Sequence, residues 1–171
     1  MNRVWLTAAV ILLRPIAAEA QDMPLAQILI DGEGWKRVDS PGPRSAVANK
    51  PSTTSSDRST LFTWHPGERF LHAAQLRGDG GSTVRAPYAP LRLGTGEKET
   101  CVTSLTTDRN GRIYAATPVG VQVFDPTGRL CGVVQPPAPG PAEHLGFEGD
   151  QLTAWVGAVK YARKLRTAGV K

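Results

Sequence analysis

Residues 101–134, CVTSLTTDRNGRIYAATPVGVQVFDPTGRLCGVV, read as four short β-strands set apart by turn signals at Asn110-Gly111, Pro118 and Asp125-Pro126-Thr127-Gly128. The first strand is Val102 to Thr107. Asp108-Arg109-Asn110-Gly111 then supplies the positive φ that a tight hairpin needs, and the second strand runs from Arg112 to Thr117. Pro118 breaks the chain before a third strand, Gly120 to Asp125. Residue types alternate with period two here, so Val119, Val121 and Val123 share one face. Asp125-Pro126-Thr127-Gly128 suits a type I turn, with Pro presetting φ at the second position and Gly closing it. The fourth strand is Leu130 to Val134.

The hairpin unit recurs. SDRSTLFTW at 56–64, TDRNGRIYAA at 107–116 and EGDQLTAWVG at 148–157 each carry a turn signal in a similar place, at a spacing of about 40 to 50 residues. A single four-stranded sheet cannot bury both of its faces, so recurrence of the unit is what makes a stable core possible. An isolated β-meander is the alternative; the repetition favours blades of a β-propeller.

Outward from this segment the chain divides into three parts. Residues 1–20 read as a signal peptide: Arg3 in a short n-region, an apolar run from Val4 to Leu13, and a small-x-small cleavage site at Ala18-Glu19-Ala20. Arg14 just past the run leaves an uncleaved anchor as the alternative, although the run is too short to span a bilayer comfortably. The expectation is a secreted or periplasmic protein, with no membrane association after cleavage. Cleavage removes two cations, Arg3 and Arg14, and one anion, Glu19, taking the formal charge from +5 to +4. Residues 21–58 hold an expected strand, Leu25 to Ile30, followed by a Pro/Ser/Thr-rich stretch over Val38 to Ser56, linker or poorly formed strand, that is too poor in large apolar groups to build a core.

Residues 59–171 are the blades. The first has strands Ser59 to Trp64, Arg69 to Leu76 and Thr83 to Leu93; the second is the segment quoted above. The third has only three strands of its own, His144 to Glu148, Leu152 to Gly157 and Val159 to Arg166, and the N-terminal strand is expected to complete it. The prediction is an all-β chain, a partial β-propeller of about three four-stranded blades. Lys160, Arg163, Lys164, Arg166 and Lys171 are spaced as on a solvated strand face without interleaved aromatics, so no nucleic acid is expected as partner.

GRIYAATPVGVQVFDPTGRLCGVV at 111–134 and AEHLGFEGDQLTAWVGAVKYARKL at 142–165 resemble the last two blades of the senescence-marker-protein/gluconolactonase/regucalcin-like family, whose propellers are six-bladed. STLFTWHPGERFLHAAQLRGDGG at 59–81 with APYAPLRL at 86–93 is similar to the blade before them. PLAQILIDGEGW at 24–35 is similar to the opening of secreted bacterial members. The resemblance implies a metal-dependent hydrolase of sugar lactones, in which one divalent cation, calcium or zinc, polarises the lactone carbonyl and orients the attacking water at the channel mouth. It also implies that about three blades do not close a ring. Two copies forming a homodimer that completes six blades, an open half-propeller, and a shortened, unstable product all remain open.

The family's metal ligands do not carry over cleanly. Its inner-strand Asp falls on Thr103, a neutral hydroxyl. Asn49 lies near its Asn position in an unmatched context, and Trp35 to Pro43 offers no Glu-Gly-Pro. Glu143 and His144, at the start of the third inner strand, are the candidates for acid/base catalysis or metal binding. Adjacent strand residues point to opposite faces, which argues against both addressing one substrate. His65 and His72 stand without a partner carboxylate, and no zinc spacing is present. Asp108 and Asp125 read as turn carboxylates, and Trp64, Trp155 and Tyr161 as packing residues. Cys101 and Cys131 fall on inner and outer strands of one blade, too far apart for a disulfide. The two function classes are therefore a gluconolactonase-like exported hydrolase whose metal site is lost, and a noncatalytic β-propeller binding or scaffold module.

Overall fold

The computed structural model describes residues 25–39 and 51–170. Strands β1 (Lys36–Val38), β2 (Ser52–Thr54), β3 (Thr60–Thr63), β4 (Phe70–Gln75), β5 (Ala86–Pro90), β6 (Ser104–Thr107), β7 (Ile113–Thr117), β8 (Gly120–Phe124), β9 (Leu130–Val134), β10 (His144–Glu148), β11 (Gln151–Val156) and β12 (Val159–Lys164) form three antiparallel sheets. Blade 1 is β2-β3-β4-β5, blade 2 is β6-β7-β8-β9, and blade 3 is β10-β11-β12 with β1 on its outer edge. The inner strands β2, β6 and β10 lie side by side, so the three sheets fan out from one axis. The expected all-β partial propeller of four-stranded blades is the observed architecture.

The turns follow from their residues. In blade 2 the Gly111 amide donates to the Asp108 carbonyl (3.0 Å) and the Gly128 amide to the Asp125 carbonyl (2.9 Å). Gly128 sits at φ 84°, and a Cβ there would come within 2.6 Å of the Tyr88 carbonyl oxygen of blade 1. That close approach of two blades admits only glycine.

Apolar side chains fill two seams. Between blades 1 and 2, Phe62, Trp64, Leu71 and Leu91 pack against Val102, Leu105, Ile113 and Phe124. Between blades 2 and 3, Tyr114, Val121, Val123 and Val134 meet Leu152 and Leu165, with Ala116 against Ala154 beside them. Every residue of β7 and β8 is buried because blade 2 is covered on both sides.

The N-terminal region differs from expectation in two places. Leu25–Gln27 is a single 3-10 turn, and the strand completing blade 3 is β1, paired Lys36 to Ala162 and Val38 to Lys160. Leu25, Ile28 and Leu29 recur at helical spacing, and all three join the seam between blades 2 and 3. Leu29 still bridges Leu165, and a turn closed by the Glu33 amide on the Ile30 carbonyl (3.1 Å) carries the chain to β1. The second difference is Ser52–Thr54, expected within a stretch of linker or poorly formed strand, which is the well-paired inner strand of blade 1. It pairs with β3 from Ser52 opposite Thr63 to Thr54 opposite Leu61, and its contact with β6 is polar, Thr53 Oγ1 lying 3.1 Å from Thr107 Oγ1, so apolar content gave no signal for it. The signal peptide read at 1–20 lies outside the described residues.

Beyond β12 the chain returns across the blades. The Arg166 amide donates to the Ile28 carbonyl (2.8 Å), the Arg109 amide to the Ala168 carbonyl (2.9 Å), and the Gly169 amide to the Gly149 carbonyl (3.0 Å). A Cβ on Gly169 would lie 2.2 Å from Phe147 Cβ, so only glycine passes there. Among the described residues, no helix is long and apolar enough to cross a membrane.

Candidate functional site

The end of the fan where the inner strands begin carries three of the four residues singled out from the sequence. Thr103 immediately precedes β6. Its amide donates to the Ala116 carbonyl (3.0 Å), which extends the ladder to β7, and its hydroxyl donates to the Ala142 carbonyl of the next blade at 2.5 Å. One residue on, the Leu145 amide donates to Ser104 Oγ (2.9 Å). Two hydroxyls therefore staple the start of β6 to the start of β10. Glu143 precedes β10, its amide donating to the Trp155 carbonyl (2.7 Å). His144 pairs in register with Trp155, while Leu145 packs in the seam with blade 2. His144 thus faces away from blade 2, as strand alternation requires. The fourth residue, Asn49, lies outside the described residues.

A hard divalent cation wants six or more oxygen ligands with carboxylates among them, and zinc wants a tight set of His, Cys or carboxylate groups. Among the described residues, no three His, Cys, Asp or Glu side chains come together as such a set. The Thr103 hydroxyl, against which the resemblance sets an aspartate, is directed at a backbone carbonyl. The described residues at this end do not fit the cation that the resemblance implies.

The other titratable groups are occupied with the fold. His72 Nδ1 lies 3.1 Å from Glu68 Oε2, so this histidine has the carboxylate neighbour that its sequence context did not reveal; Glu68 also takes a two-pronged ion pair from Arg85 at 2.5 and 2.8 Å. The Arg85 hydrogen bonds hold the Glu68 carboxyl below the usual carboxylate range. Trp64 is buried and donates its indole N–H to the Glu68 carbonyl (2.8 Å), a packing role. Cys101, ahead of the inner strand β6, and Cys131, in the outer strand β9, are free thiols, and burial pushes the Cys131 thiol up.

At the opposite end of β6 lies a hollow of about 480 Å³ between blades 1 and 2, lined by Asp57, Gln75, Tyr88 and Asn110 among others. Asp57 was not singled out from the sequence; its context SDRS resembles the turn TDRN and nothing more. The Ser55 hydroxyl, then the Ser59 amide and hydroxyl, bond its carboxylate and lower its pKa to about 2. Those same bonds tie it to its own turn.

No protein-family model matches the chain, and no curated protein sequence does. Solved structures do match. One is a gluconolactonase from Xanthomonas campestris described as important in glucose secondary metabolic pathways, at 26% identity over 67% of this chain and 37% of that one, with a TM-score of 0.57. A candidate gluconolactonase matches at 21% identity over 77% of this chain and 43% of that one, TM-score 0.60. A luciferin-regenerating enzyme matches at 16% identity over 71% and 47%, TM-score 0.56. The chain spans less than half the length of each. It is an all-β partial propeller of three four-stranded blades that matches part of the six-bladed gluconolactonase and luciferin-regenerating-enzyme structures over 67–77% of its length.

Proposed function

We propose that this chain is an exported, noncatalytic gluconolactonase-like propeller module, a binding or scaffold protein that keeps the blades without the metal site. The observation that carries this reading is the Thr103 hydroxyl bonded to the Ala142 carbonyl, at the position where the family resemblance calls for a charged ligand. Export is supported by residues 1–20 alone, and sequencing the N-terminus of the protein recovered from its producing cell tests it.

The function test is a calorimetric titration with calcium and with zinc, paired with release of acid from a sugar lactone. The expected result is no saturable heat and no hydrolysis above the spontaneous rate. A thermal midpoint that rises with calcium also overturns the reading, because a cation at a hundred times its Kd adds about 2.7 kcal/mol of stability. The second reading, a metal-dependent lactonase, is favoured by the 26% match to a gluconolactonase. It draws on Glu143 and His144 and requires ligands from outside the described residues.

A further inference from the structure

The apolar clusters occupy the two seams, and the faces turned away from blade 2 are built differently. On blade 3 the register sets Lys36, Ala162, Thr153 and Gly146 in one row. Val38, Lys160, Trp155 and His144 form the row on one side of it, and Lys164, Gln151 and Glu148 the row on the other. Register partners share a face, and Leu152 and Ala154, between these rows along β11, point into the seam with blade 2. The three rows therefore make up the outward face, and among the described residues no further blade packs on it.

This face carries charge where the seams carry hydrocarbon. Lys36 pairs with Glu33 (2.9 Å), Lys164 with Asp150 (3.4 Å), and Lys160 with Glu148. Lys160 and Glu148 stand two strands apart in opposite rows, so their side chains meet above Thr153, the midpoint between them. The middle row from β10 to β12 is Gly146, Thr153 and Ala162, small enough for a long side chain to lie flat across it. The Lys160 side chain is only 9% exposed, Thr153 5% and Ala162 7%. The ammonium also lies 6.0 Å from the centre of the Trp155 ring.

We propose that Lys160, held by Glu148 and Trp155, is an end cap. Its aliphatic stem covers the small-residue row that a neighbouring blade would otherwise cover, and its charge stays at the water boundary. Terminal units of repeat folds need a polar outer face of this kind. A second copy closing the ring would have to press this ion pair against the free face of blade 1, which carries Glu68 with Arg85 and His72. Burying both charged sets costs desolvation, against which these faces set little hydrocarbon: Phe70, next to the seam residue Leu71 on β4, and Val38 and Trp155 on blade 3. The outward face of blade 3 is thus covered by its own side chains, and a second copy of this chain is not its partner.

The test is the mass of the chain by light scattering over about a hundredfold range of concentration, beside the double variant Lys160→Leu/Glu148→Leu. The expected result is a one-chain mass for the natural protein throughout, and a mass rising toward two chains for the double variant. A two-chain natural protein overturns the proposal, and so does a double variant that remains a single chain with unchanged amide exchange in β10–β12. Should the double variant not fold, Lys160→Gln, which keeps much of the stem and loses the charge, is read by exchange alone. Faster exchange in β11 is expected, and unchanged exchange overturns the cap.

Discussion

Single carboxylates hold the corners of this fold. Asp108 is 0% exposed and accepts the amides of Asn110 and Arg112 (both 2.9 Å), the Arg112 guanidinium (3.2 Å) and the Tyr114 hydroxyl (3.1 Å). Burial, reinforced by the Asp108 charge, keeps the Tyr114 phenol protonated far above its ordinary range, so it remains a donor. Removing one partner of a buried charged pair leaves the other charge uncompensated. Asp108→Ala is therefore expected to cost about 3 kcal/mol, read from the urea midpoint; a loss near zero removes Asp108 as the keystone of the blade 2 hairpin.

Asp125 and Glu68, with the Asp57 turn carboxylate, set the pH dependence. Burial raises the Asp125 carboxyl, but the Thr127 hydroxyl and the Arg129 and Thr127 amides outweigh it, for a net lowering; Glu68 is lowered chiefly by Arg85. A folded pKa below the unfolded one gives stability that is fully present above the ordinary carboxylate pKa and lost as pH falls through the folded value. Stability is expected to hold from neutral pH to about 5 and to fall below about 4, measured by denaturant melts across that range. A protein that gains stability on acidification contradicts the assignment.

Strand edges are protected one by one. β5 carries Pro87 and Pro90, β9 is contacted by the Leu25–Gln27 turn, and β1 is three residues long with Lys36 and Arg37 exposed. Such devices keep an edge from recruiting another strand. Trp35 latches β1: its indole N–H donates to the Gln135 carbonyl (2.8 Å) and its ring packs in the cluster between blades 2 and 3. Trp35→Ala is expected to lower stability by about 2 kcal/mol and to speed amide exchange along β12. Unchanged exchange there assigns the attachment of β1 to the ladder alone. The bounds of β9 and β10 were readable from turn signals and apolar alternation. Ser52–Thr54 was not, because an inner strand made of Ser and Thr has the composition of a loop.

Across the whole molecule, blade 2 is the only one of the described blades covered on both faces, so opening it requires breaking both seams. Amide exchange is expected to be slowest in β7 and β8 and faster in blades 1 and 3. Equal protection in all three blades indicates that something further covers the outer faces.

The repeat of turn and strand signals in 56–64, 107–116 and 148–157 was enough to determine three blades and the four strands of blade 2, because Asn-Gly and Asp-Pro-x-Gly turns and period-two alternation are local properties of the chain. That the resemblance sets an aspartate against Thr103 was likewise a reading of the sequence. What the tertiary structure alone decided is where these groups point. It directs the Thr103 hydroxyl at a carbonyl 39 residues away, sends His144 to the outer face of blade 3, and lays Lys160 across that face toward Glu148. It also chose Lys36–Val38 over Leu25–Ile30 to complete blade 3. These outcomes depend on which blade lies against which, and packing between residues distant in sequence leaves no trace in local periodicity.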